Sequence, residues 1–227
     1  SWRFERSDKW FSDEAEIAFR EALKLAPGRA DIYAELAALY EETNQLDALE
    51  KAIRDGLEVA PDHPRLNLEA AKAERRAGHV DDAIARLARF EVAAMDSRLA
   101  EQFHYQLGYL YDRAGDPDRA AAELRALANR SPAARARALT RLSLLERRRD
   151  RPATALVCAR SAVFADGEDP DARRALGQAL KSLGRLAEAV EHFRRGHELL
   201  RRPGGTRGAD RPGFARTSRA KLRHDIA

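Results

Sequence analysis

His192 and His197 stand five residues apart, which on a helix turns them to different faces, and no nearby Cys, Asp or Glu completes a metal-ligand spacing. His63, His79 and His224 fall in predicted loops or in the C-terminal tail. The one cysteine, Cys158, excludes an intramolecular disulfide, and its spacing puts it inside a helix, where a packed thiol is expected. Gly204, Gly205 and Gly208 follow a helix and precede no strand-to-helix turn, so they read as a linker and not as a phosphate cradle. No nucleophile stands at a recognisable spacing from a base. The chain as given is therefore expected not to be an enzyme and to use no cofactor. What remains is recognition chemistry. Tyr105 and Tyr109, four apart, share a face of any helix that carries them, and arginine offers carboxylates a planar, two-pronged donor.

Such residues need an element to hold them, and the sequence repeats one. Ala15, Leu49, Ala83, Ala120, Ala155 and Ala189 recur at intervals of 34, 34, 37, 35 and 34 residues. Five residues before all but the first stands Asn44, Gly78, Gly115, Asp150 or Gly184. These types enter a left-handed backbone conformation most cheaply, so each reads as the turn inside a helix-turn-helix unit. A period near 34 predicts an all-α solenoid.

Residues between the landmarks carry a family resemblance. One unit has Tyr33, Leu36, Ala37, Tyr40, Ile53, Gly56 and Pro61; another has Leu107, Gly108, Tyr111, Gly115, Ala120, Leu124 and Pro132; a third has Leu176, Gly177, Leu180, Gly184, Ala189, Phe193 and Gly196. This pattern resembles the tetratricopeptide (TPR) family and implies a right-handed superhelix of about five and a half units: an aromatic lead-in and half repeat over 1–29, five units over 30–202, and a basic linker or tail over 203–227. Close helix packing requires small residues where the two helices of a unit meet, a role given to Ala37, Ala71, Gly108, Ser143 and Gly177, and where a second helix meets its neighbours, given to Ala22, Gly56, Ala162 and Gly196. Bulk at Leu49, Phe90 and Leu127, with three extra residues near Val92 to Arg98, predicts irregular packing there.

Net charge is +4, but residues 201–227 alone carry +6, so the array is nearly neutral and a general nucleic-acid role gains little support. Arginine outnumbers lysine 35 to 6, as expected of a GC-rich bacterial genome. No apolar run is long enough to span a bilayer, and the cytoplasm is the expected location. Trp2, Phe4, Trp10 and Phe11 read as a cap on the first helix, and Ser218 as the N-cap of a short helix carrying Leu222 and Ile226. The segment Ala220 to Ile226 resembles the junction after TPR arrays in bacterial 2-oxoglutarate and iron dioxygenases, and Phe103 to Arg119 is similar to TPR units joined to bacterial sulfotransferases. Neither catalytic motif is present, so these likenesses concern a longer parent.

In the TPR family the inner wall is lined by first helices, and its positions carry over here as Asp31, Glu35, Glu41 and Glu42; Arg65, Glu69, Lys72, Arg75 and Arg76; Gln102, Tyr105, Gln106, Tyr109, Asp112 and Arg113; Arg137, Thr140, Arg141, Arg147 and Arg148; and Asp171, Arg174, Gln178 and Lys181. The resemblance thus implies a groove that is acidic at its start and mostly basic afterwards. Arg65, Lys72, Arg76, Tyr105, Gln106, Tyr109, Arg113, Arg137, Arg141, Arg148, Arg174, Gln178 and Lys181 are the candidate site, expected to point into the groove, with Tyr109 and Arg141 facing solvent, and to take a protein or peptide rich in carboxylates. The lysine, asparagine, asparagine, lysine and arginine of the family's two-carboxylate clamp for chaperone tails would fall on Leu68, Lys72, Gln106, Arg137 and Arg141. The last two cations and one amide survive, while the first lysine and both asparagines do not. Alternatives are a polyanion or nucleic-acid contact through the basic tail, and self-association through an uncapped terminal repeat.

Overall fold

The computed structural model describes residues 2–201, with side chains from residue 13 onward. Local chemistry sets where its helices begin. Pro64, Pro117, Pro132, Pro152 and Pro170 each occupy a first helical position, where the missing N–H costs nothing and the fixed φ suits a helix. Asp96, Asp116 and Ser131 cap the helices that follow them, their side chains accepting from the amides of Leu99 (2.9 Å), Arg119 (3.1 Å) and Ala134 (3.1 Å). Helices end as the spacing predicts. Asn44, Gly78, Gly115, Asp150 and Gly184 all have positive φ, between 55° and 90°.

Two compact units result, Ser1–Ala94 and Met95–Ala227. The first holds α1 (Trp2–Leu25), α2 (Ala30–Glu42), α3 (Leu46–Val59), α4 (Pro64–Ala77) and α5 (Val80–Ala88). Phe19 and Leu23 of α1 pack on a core of Leu36, Ala37, Tyr40, Leu49, Ile53 and Ala70. Helix α1 runs without a break from the aromatic lead-in into the half repeat. Helix α5 has only nine residues, and a 3-10 turn at Val92–Ala94 follows it, so the expected irregularity takes the form of a shortened second helix.

The second unit holds α6 (Ser97–Arg113), α7 (Pro117–Ala128), α8 (Pro132–Arg148), α9 (Pro152–Ala165), α10 (Pro170–Ser182) and α11 (Leu186–Arg201). One core cluster joins α7 and α8 around Leu124, Leu127, Leu142 and Leu145; another joins α9, α10 and α11 around Leu156, Leu176, Leu180, Phe193 and Leu200. Leu127 is fully buried in the first cluster, so bulk at that small position is absorbed by the core instead of loosening it. Gly108 and Gly177 sit where a side chain would collide with Leu124 and Phe193, the close approach expected between paired helices.

Contacts between helices separate two layers in each unit. Helix α2 touches α4, and α8 touches both α6 and α10, whereas among the described residues α3 does not meet α5 and no two of α7, α9 and α11 meet. In an array of hairpins the layer whose helices touch lies on the inside of the curve. First helices therefore form the inner layer of each unit and second helices the outer one.

Candidate peptide-binding face

In the first unit the candidate residues are tied down by acids of the preceding first helix. Arg65 donates to Glu35 (2.5 Å), Arg76 to Glu41 (3.1 Å), and His63 pairs with Asp31 (3.1 Å). Lys72 does not stand open in the groove as the sequence suggested. Its side chain is 8% exposed and its Nζ donates to Glu69 (2.7 Å) and Glu41 (3.2 Å), because α4 packs against α2 and buries it between them. Burial pushes the Glu69 carboxyl above its ordinary value, and Lys72 pulls it back. Leu68 is buried as well, so the first position of a chaperone-tail clamp is unreachable.

The second unit gathers the rest. On α6 and α8, Tyr105, Tyr109, Arg137 and Arg141 form a stack: Arg141 lies 5.4 Å from the Tyr105 ring centre and 5.0 Å from that of Tyr109, and Arg137 lies 5.8 Å from Tyr105. Arg141 also donates to the Tyr105 hydroxyl from Nε (3.2 Å) and Nη2 (2.8 Å). This corrects the expectation that Arg141 is a solvent-facing carboxylate clamp; it is a fastener between adjacent first helices. Thr140 is likewise buried, its hydroxyl donating to the Ala136 carbonyl (2.9 Å).

Around this stack the ion pairs are lopsided. Arg137 reaches Glu101 at 3.5 Å with the arginine 52% exposed and the carboxylate 16%, and Arg148 pairs with Asp112 with the arginine 54% exposed and the carboxylate 15%. The acids lie underneath and the cations on top. On α10, Arg174 leans on Asp171 (3.4 Å) and is mostly covered, Gln178 is half-buried beside it, and Lys181 is exposed. Gln106 is half-buried on α6; Arg113 and Lys181 form no ion pair among the described residues. The outermost charge of the inner layer in this unit is thus positive, set over two tyrosines.

Sequence reasoning missed the acidic partners. Glu101–Arg137, Tyr105–Arg141 and Asp112–Arg148 are all 36 residues apart, one repeat plus a fraction of a turn, and complementary pairs at that offset were the available signal. Among the described residues no group of three His, Cys, Asp or Glu side chains is placed to hold a metal, and no helix is long and apolar enough to cross a membrane. Ala220 to Ile226, Ser218 and the rest of the basic tail lie outside the described residues, as do the side chains of Trp2, Phe4, Trp10 and Phe11.

Helix hairpins at a 34-residue period, left-handed turns and an inner layer of touching first helices define a hairpin-repeat recognition scaffold. The Tetratricopeptide repeat family model matches residues 68–135 and 139–197, and the chain belongs to that family. Among solved structures it is similar to PilW, a widely conserved type IV pilus biogenesis factor, at 17% identity over 85% of this chain and 87% of that one, with a TM-score of 0.72. It is also similar to pilF of Pseudomonas aeruginosa (15%, 98% and 93%, TM-score 0.66) and to YrrB, described as a TPR protein with an unusual peptide-binding site (16%, 80% and 91%, TM-score 0.59). At such identities the likeness is one of fold. Comparison with curated protein sequences gives no match.

Proposed function

We propose that this TPR protein binds an acidic peptide, or an acidic segment of a larger protein, along the inner layer of its second unit. One observation carries the reading: the carboxylates of Glu101 and Asp112 are covered while Arg137 and Arg148 stand above them, so an incoming chain meets Arg137 over the Tyr105 ring and Arg148 farther along α8. Arg113 and Lys181 extend the positive surface at no cost in existing pairs. Arginine grips carboxylates in two bonds, and a tyrosine platform adds apolar area with little rotamer entropy lost. YrrB, with its peptide-binding site, supports a peptide ligand for this fold without specifying its charge. The protein would act as an adaptor, or as the substrate-recognition part of a larger bacterial enzyme.

The test uses a fluorescein-labelled decapeptide alternating Glu with Leu, and a second with Lys for Glu. Binding of the acidic peptide should weaken steeply with added salt and fall about tenfold or more in Arg113→Glu/Lys181→Glu, since each charged contact contributes roughly 1.5–3 kcal/mol. Both side chains are exposed, so the variant should melt like the wild type. Equal affinity for the two peptides, or for wild type and variant, would refute the reading.

A further inference from the structure

At the outward-facing positions of the second helices, α3, α5, α7 and α11 carry polar or small side chains and α9 carries two large apolar ones, while α1 places Ile17, 63% exposed, at the position equivalent to Val157. Measured from each unit's landmark residue, the exposed positions of α7 are Asp118, Ala122, Arg125 and Asn129, and those of α11 are Ala187, Glu191, Arg194 and Glu198. The same positions of α9 are Ala153, Val157, Arg160 and Phe164. Val157 is 65% exposed and Phe164 94%, the largest exposure among the described large apolar residues. Their spacing of four, three and four residues lines all four along one face, the seam by which one helix packs on another. Among the described residues of this unit no two of α7, α9 and α11 touch, which leaves this face open to a visitor.

The stripe is complementary to itself. We infer that α9 is a self-association surface, on which a second copy of this chain lays its own α9 antiparallel about a two-fold axis at the level of Cys158 and Ala159. In that register Phe164 meets Ala153 of the second copy, large against small, and Val157 meets the stem of its Arg160. At the helix ends Asp166 comes opposite the second copy's Arg151, both exposed, so the acidic end of each helix faces the basic end of the other. A parallel arrangement would set Asp166 against Asp166 and Phe164 against Phe164. Antiparallel pairing also opposes the helix dipoles favourably. The contact is isologous, so it closes at a dimer and does not propagate. It is a two-helix interface, below the size of a standard stable complex, so the dimer dissociates at low concentration.

Sedimentation velocity on the full chain tests this over a hundredfold concentration range reaching high micromolar. The weight-average mass should climb from the 25.4 kDa monomer toward twice that value. Phe164→Ala, counted twice by the symmetry, should raise the dissociation constant about tenfold or more. Because Phe164 and Ala153 are both exposed, neither change disturbs the core. The swap Ala153→Phe/Phe164→Ala restores large against small and should recover dimerisation, while Ala153→Phe alone should not strengthen it. A wild type that stays monomeric throughout would overturn the inference and leave the stripe to another occupant. So would a dimer indifferent to Phe164→Ala, and a swap that fails to recover it would overturn the antiparallel register.

Discussion

Gly177→Ala offers a direct test of how closely the paired helices approach. A methyl at Gly177 would lie 2.6 Å from Cε1, 2.7 Å from Cδ1 and 2.9 Å from Cζ of Phe193, against the roughly 3.5–4.0 Å that carbon atoms prefer. The ring cannot simply step aside, because Phe193 is 1% exposed and packed among Leu176, Leu180 and Ala189. Overpacking of this kind costs about 1–3 kcal/mol, and the better helix propensity of Ala returns about 0.8–1.0. The net loss should be about 0–2 kcal/mol, or up to roughly 8 °C in Tm for a chain of this length. Thermal melts followed by circular dichroism measure it, with Phe193→Leu as the second arm of a double-mutant cycle. Shortening the ring should relieve the collision, so the double variant should be more stable than the two single losses predict. A Gly177→Ala protein that melts higher than wild type, with additive energies in the cycle, would show that the contact is loose and the reasoning wrong.

Two other perturbations probe buried charge. Burial raises Asp169 from 3.8 to about 6 despite the bond from the Asp171 amide, so its proton stabilises the fold below pH 4 and that stability is lost as pH rises through 6. Asp169→Asn keeps a cap acceptor without the charge; it should equal or exceed wild type by about 1–3 kcal/mol at pH 7 and lose that advantage by pH 4, and parallel urea titrations would exclude this if the gap did not change with pH. Lys72→Ala leaves the Glu41 and Glu69 carboxylates without their shared cation and should cost about 3–5 kcal/mol at neutral pH, with partial recovery in acid as Glu69 takes a proton; a loss under about 1 kcal/mol would mean that water reaches the pair.

Much of the fold was legible because a repeat must satisfy the same backbone constraints each time it recurs. Asn44, Gly78, Gly115, Asp150 and Gly184 mark turns by their tolerance of positive φ, and Gly108 and Gly177 mark helix contacts by their lack of a side chain. Candidate site positions were legible only as places on a helix. Whether Lys72 or Arg141 reaches solvent depends on which side chain the preceding repeat brings over it, a relation across more than thirty residues that no local spacing encodes. Phe164 was invisible for the opposite reason. An apolar residue at a helix end reads as core until the packing shows nothing above it.

The 36-residue pairs redefine what the interchangeable piece of this protein is. Glu101, Tyr105 and Asp112 on α6 are each answered by a residue on α8, beyond the intervening α7. A cassette cut at the turns and transplanted into another array would carry one half of every pair and abandon the other. Recombination or engineering that respects the wiring must therefore move a hairpin together with the first helix of the unit after it. The heritable module is three helices long, although the sequence period counts only two.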